Sequence, residues 1–125
     1  MGKIKEIVID ALNPPQLARF WAAALDDHSV RPYDQAELKR LAALGLTPET
    51  DPTVAVDGPG PTLFFQLNPQ ASSGRNRIHL DIGCSSRADE VRRLTDLGAT
   101  VRETHDGYTV MLDPEGNPFC VKEMC

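Results

Sequence analysis

The sequence predicts an α+β fold built from two βαβββ modules, and three observations predict it. A strand pattern occurs twice, as Glu6-Ile7-Val8-Ile9-Asp10 and as His79-Leu80-Asp81-Ile82-Gly83. Each copy alternates with period two and leads through a short polar stretch into a helix pattern. Breaker-rich turns then divide the rest of each half into short strands. The polar stretch Asn68–Gly74 separates the halves and is too short to make them independent domains. The expectation is one domain over residues 1–125, with module one at about 3–68 and module two at about 76–123. The two modules are expected to form an open eight-stranded cup with helices outside.

The elements follow in order. Residues 3–10 read as a strand with Ile7 and Ile9 towards a core and Glu6, Val8 and Asp10 on the other face. Asn13-Pro14-Pro15 starts a helix, since Asn caps and proline suits the first turn. That helix runs to about Leu25 and buries Leu17, Phe20, Trp21 and Ala24. Residues 28–33 form a short strand or turn. An inserted helix spans about Gln35–Leu44, with Leu38, Leu41 and Leu44 as its stripe and Gly45 as its stop. Strands follow at 53–56 and 62–68, separated by the hard turn Asp57-Gly58-Pro59-Gly60-Pro61. The second half opens with a strand at 77–82 and a helix at 86–97, with Val91, Leu94 and Leu97 inward and Gly98 as its stop. Strands at 99–104, 108–113 and 118–122 complete it.

Composition bounds the function. A length of 125 residues suits one domain with a real core. The net charge of −5 argues against nucleic acid as the main partner, because phosphate binding needs a basic face. No apolar run approaches the ~20 residues of a membrane helix, and the first residues enter a strand pattern without a signal-peptide core. Cys84, Cys120 and Cys125 have no zinc-finger spacing. A reducing cytoplasm is the expected location, with no membrane partner.

The β-α-β-β-β order twice, the turn Asp113-Pro114-Glu115-Gly116-Asn117 before a final strand, and Asn76-Arg77-Ile78-His79-Leu80-Asp81 opening the second half together carry a resemblance. So does Pro-Gln-Leu-Ala-Arg-Phe-Trp after the first strand. The chain resembles the vicinal oxygen chelate superfamily, and within it the small bacterial glyoxalase-like domains. The resemblance covers nearly the whole chain. It implies the cup fold; it does not choose among glyoxalases, dioxygenases, epimerases, transferases and metal-free drug-binding proteins of the bleomycin-resistance kind.

The resemblance further implies that Glu6, Gln66, His79 and Cys120 occupy the ligand positions of the metal-using members. Alternation independently puts all four on the cup face. Glutamate, imidazole and thiolate are competent zinc ligands, and Gln66 would add a carbonyl oxygen. One divalent ion, zinc before nickel or iron, is the cofactor such a set would take, with Glu6 as candidate base. Cys120 stands where the isomerases of the family carry a glutamate, which weakens that chemistry here. Equally, Cys120 is a small buried hydrophobe, Glu6 a solvated carboxylate or the partner of Arg77, and His79 a neighbour of Asp81.

Phe64, Gln66, His79, Asp81, Met111 and Cys120 are the expected ligand-binding residues, with Phe64 and Met111 as an apolar wall on the cup face. Trp21 and Phe20 read as core. Arg75, Asn76 and Arg77 either pin the linker or grip an anion. His28 and His105 fall in turns. Two functions stand: a metal-dependent lyase or isomerase of a small oxygen-rich substrate, and a metal-free protein that binds or sequesters a small molecule. Open sheet edges predict a homodimer in either case.

Overall fold

The computed structural model describes residues 1–70, 76 and 78–124. The chain divides into two compact units, Met1–Ala71 and Ser72–Cys125. The linker from Ala71 to Gly74, and Arg75, Arg77 and Cys125, lie outside the described residues.

The first unit runs β1 (Glu6–Ala11), α1 (Pro14–Ala24), β2 (Ser29–Val30), α2 (Gln35–Ala43), β3 (Thr53–Asp57) and β4 (Thr62–Leu67). The second runs β5 (Asp81–Cys84), α3 (Arg87–Leu97), β6 (Thr100–His105), β7 (Tyr108–Leu112) and β8 (Pro118–Glu123). The sheet orders are β1-β4-β3-β2 and β5-β8-β7-β6, the same topology twice. In each sheet the first and last strands pair in parallel and the other neighbours are antiparallel. The fold is α+β, two βαβββ units with α2 inserted in the first.

Helix starts follow the sequence signals. Asn13 caps α1 by accepting from Gln16 N at 3.2 Å, and prolines fill its first turn. The helix buries Leu17, Phe20, Trp21 and Ala24 against the sheet face that carries Val54, Val56, Leu63 and Phe65. The rings of Phe20 and Trp21 meet edge to face at 5.2 Å.

The apolar stripes of the other helices are narrower than the sequence suggests. In α2 only Leu41 is buried; Leu38 and Leu44 are 42% and 63% exposed. This insertion is held mainly through its flanks. The Tyr33 hydroxyl donates to the buried Asp51 carboxylate at 2.8 Å, and Asp51 also accepts from Thr53 N at 3.0 Å. Burial and that carboxylate push the Tyr33 hydroxyl well above its ordinary pKa. In α3, capped by Ser86, Leu94 is buried while Val91 is half-buried and Leu97 exposed.

Two expectations need correction. The strand expected from Arg77 begins at Asp81. Ladder pairing reaches one residue further back, where the Leu80 carbonyl accepts from Cys120 N at 2.9 Å. Met111, expected on the open face, is fully buried and pairs with buried Phe119, on the face that α3 covers. The segment Tyr-Thr-Val-Met-Leu is nearly apolar on both faces, so its hydropathy does not set its parity.

The turn Asp113–Asn117 shows why that sequence stands before the last strand. Asp113 is buried, and its Oδ1 accepts from the backbone N–H groups of Glu115 and Asn117, both at 2.9 Å. Asn117 Nδ2 donates to Asp113 Oδ2 at 3.0 Å. Gly116 takes the left-handed φ of +84° that the turn requires. Asp113→Ala strips the acceptor from several donors at once. A loss of about 2–3 kcal/mol is expected, read as a lower urea midpoint with an unchanged m-value. A midpoint within error of the parent would show that water replaces these bonds without loss.

Candidate functional site

The site builds up from the parallel pairing of β5 and β8. Asp81 lies directly opposite Cys120 and Gly83 opposite Lys122. On the far side of β8, Val110 pairs with Cys120 and Tyr108 with Lys122. These residues share the sheet face that α3 does not cover. The other face carries Ile82, Phe119, Val121 and Met111, all buried.

On the open face Asp81 is the hub. Its Oδ2 accepts from Lys122 Nζ at 2.8 Å, and its Oδ1 lies 3.3 Å from His79 Nδ1. Lys122, chiefly by hydrogen bond, holds the Asp81 carboxyl below the usual carboxylate range, and Asp81 in turn raises the Lys122 ammonium. The Cys120 thiol is pushed up, first by burial and then by the Asp81 charge. The donor atoms of His79, Asp81 and Cys120 all lie within 4.8 Å of one another.

A cavity of about 630 Å³ opens beside this cluster, within the second unit. His79, Cys120 and Lys122 line it together with Tyr108, Val110 and Pro118. Arg102 and Glu103 complete it from β6. Both reach the cavity because β6 carries a bulge. Val101 pairs with Met111 on the covered face, whereas Glu103 pairs with Val110 on the open one. Arg102 is the additional residue between them. The sequence reading treated this strand as regular, and the run Thr-Val-Arg-Glu-Thr-His contains no glycine or proline to mark the bulge. Glu103 is held by His105, whose Nε2 lies 2.8 Å from its carboxylate, and His105 stacks on Tyr108 at 4.7 Å.

The first unit offers a different face. Glu6 pairs with Thr62, Val8 with Phe64 and Asp10 with Gln66. Glu6 and Gln66 are thus four residues apart along the sheet, roughly 13 Å, and do not meet. Glu6 instead lies in the field of the Arg31–Asp57 ion pair, whose atoms are 2.9 Å apart. Asp10 accepts from Asn68 Nδ2 at 3.0 Å.

Thr62 and Pro118 open the equivalent six-residue strands β4 and β8. Phe64 therefore matches Cys120, and Gln66 matches Lys122. By the same register Glu6 matches His79, and Val8 matches Asp81. Of the expected ligand residues, Glu6 and Gln66 stand apart on the first sheet, and His79 and Cys120 come together on the second. What gathers is His79 and Cys120 with Asp81, which the sequence reading placed beside the ligands and not among them.

The amino-acid sequence matches the glyoxalase-like domain over residues 6–122. The chain belongs to the glyoxalase-like domain family. No curated protein matches it significantly. Among solved structures, a glyoxalase/bleomycin resistance protein/dioxygenase family enzyme from Burkholderia phytofirmans PsJN aligns over 99% of this chain and 100% of its own, with a TM-score of 0.65 and 14% identity. A possible glyoxalase from Bacillus cereus aligns over 98% and 99%, with a TM-score of 0.64 and 12% identity. A glyoxalase-related enzyme from Fulvimarina pelagi aligns over 99% and 89%, with a TM-score of 0.65 and 11% identity. Likeness at this identity concerns the fold. No helix among the described residues is long and apolar enough to cross a membrane.

The electrostatics of the glyoxalase-like site give a prediction. Asp81→Asn removes the charge that raises the Cys120 thiol and frees the Lys122 ammonium beside it, so both changes lower the Cys120 pKa. Alkylation of Cys120 by iodoacetamide at pH 8, resolved from the other cysteines by peptide mass spectrometry, should speed up about threefold or more. An unchanged or slower rate would show that burial alone sets this thiol.

Proposed function

We propose that this glyoxalase-like protein binds a small oxygen-bearing organic molecule on the open face of its second sheet. The observation that carries the reading is the cavity beside Cys120. Its volume of about 630 Å³ falls in the range of small-ligand sites. Apolar wall from Val110, Pro118 and the Tyr108 ring stands against convergent polar groups from His79, Cys120 and Lys122, the composition expected of such a site. Within the cluster Lys122 answers the Asp81 charge at 2.8 Å. Phe64 and Gln66 belong to the first unit and are not part of this cavity.

A second reading rests on the donor set of His79, Asp81 and Cys120. Imidazole, carboxylate and thiolate suit zinc before nickel or iron, and three protein donors leave a position for substrate. Those three residues would hold the ion, which would supply Lewis-acid polarisation of neighbouring substrate oxygens, the chemistry of a lyase or isomerase. Holding it requires Cys120 to lose its proton and Lys122 to release an Asp81 oxygen. The metal-free reading needs neither change and is preferred. A homodimer is part of the proposal, supported by β6, an edge strand whose six residues are all exposed; sedimentation at micromolar concentration should give twice the chain mass, and a monomer would remove it.

The deciding experiment pairs a ligand screen with metal analysis. Neutral and acidic oxygen-rich compounds, including methylglyoxal adducts, are titrated while the Tyr108 and Val110 amide resonances are followed. Saturable shifts that chelator leaves intact are expected. Absence of any saturable shift at these amides across the library would overturn the reading. In parallel, untagged protein soaked with zinc is assayed for metal. About one ion per chain, lost in His79→Ala, would replace the first reading with the second.

A further inference from the structure

At the bulge in β6 a cation, Arg102, lines the cavity side by side with Glu103. Among the described residues, the lysine and arginine that line the cavity are Lys122 and Arg102. Lys122 is committed to Asp81 at 2.8 Å. Glu103, the carboxylate next to Arg102, is committed to His105 at 2.8 Å. The Arg102 side chain forms no hydrogen bond or ion pair among the described residues, although its charge is felt by Glu103. In a regular strand Arg102 would face away from Val101 and Glu103 alike. Here Val101 and Glu103 take opposite faces, and Arg102 joins Glu103 at the cavity. Bulges of this kind re-aim a side chain at the cost of one ladder position.

We propose that Arg102 is the specificity-determining residue of the cavity, binding a carboxylate group of the ligand while the apolar wall at Val110 and Pro118 takes the ligand's body. This rests on the cavity being the binding site. A planar guanidinium presents paired donors that match a carboxylate's two oxygens, which a lysine at the same place would not. The charge balance selects the anion. Among the described lining residues the Glu103 carboxylate stands next to Arg102, which disfavours a doubly charged phosphate against a singly charged carboxylate. The ligand class is therefore a small organic carboxylic acid.

Benzoate, benzamide and phenyl phosphate separate the possibilities, since the first two share shape and differ in charge. Each is titrated into the full chain while the Arg102 Nε–H and Val110 amide resonances are followed. Benzoate should bind at least about tenfold more tightly than benzamide. Arg102→Gln should bring benzoate down to the benzamide level and leave benzamide itself unchanged. Arg102→Lys should recover only part of the difference, and unchanged amide spectra elsewhere would show that both variants are folded. Equal binding of benzoate and benzamide, or benzoate affinity unmoved by Arg102→Gln, would overturn the subsite and leave the cavity reading standing. Phenyl phosphate binding more tightly than benzoate would overturn the carboxylate assignment. Silence from all three probes would overturn the subsite, while the neutral compounds of the wider screen decide the cavity by themselves.

Discussion

The parallel pairing of first and last strands, β1 with β4 and β5 with β8, is the constraint from which the remaining structure follows. A βαβββ unit has three antiparallel strands that tight turns can order locally. Its first strand can join only by crossing over through a helix, and it joins beside the last strand. That crossover lays α1 or α3 on one face of the sheet and leaves the other uncovered. It also brings together residues far apart in the chain. Asp81 meets Cys120 and Lys122 only because β5 returns to β8. Without that pairing the hub carboxylate would have no ammonium partner, and the Cys120 thiol would lose the neighbour that helps keep it protonated.

The local chemistry of the site is built around carboxylates already partnered within the protein. Asp81 has Lys122, Glu103 has His105, and in the first unit Asp57 has Arg31. These pairs are half-exposed and each contributes little to stability. Their value is positional. A lysine tied to Asp81 stays over β8 instead of sweeping the cavity, and a histidine tied to Glu103 stacks on Tyr108 and firms one wall. The unmatched Arg102 stands out against that background of pairing.

Much of the fold was legible in the sequence, because its punctuation is chemical. Asn13-Pro14-Pro15, Ser86, Gly98 and the Asp113–Asn117 turn each impose a local geometry that has few alternatives. His79, Asp81 and Cys120 were also legible as polar residues sharing one face of their strands, since each follows an apolar neighbour at period two. What could not be read was parity and register. Tyr108 to Leu112 is apolar on both faces, so Met111 was placed on the wrong one. The β6 bulge has no glycine to announce it, so Arg102 went unnoticed. Gln66 is grouped with Glu6 because the family resemblance implies one ligand from the first and one from the last strand of the module. Only the pairing of Asp10 with Gln66 shows that they lie a full four residues apart along the sheet. Hydropathy sets which side a residue faces, while the partner opposite it is a property of two strands at once.

The two units share a topology yet differ in what they display. Where the second shows His79, Asp81 and Cys120, the first shows Glu6, Val8 and Phe64 at the matching positions. A repeated scaffold of this kind separates the tasks of standing up and of reacting. Each copy keeps its own buried layer beneath its helix, so the exposed layer of a sheet can be rewritten without disturbing that layer. Among the described residues the cluster of imidazole, carboxylate and thiol lies in the second unit, and the first carries one carboxylate and two hydrocarbon side chains at the matching places. Inheritance of a new ligand preference would then need changes in a single half, with the second half carried along as an unaltered template.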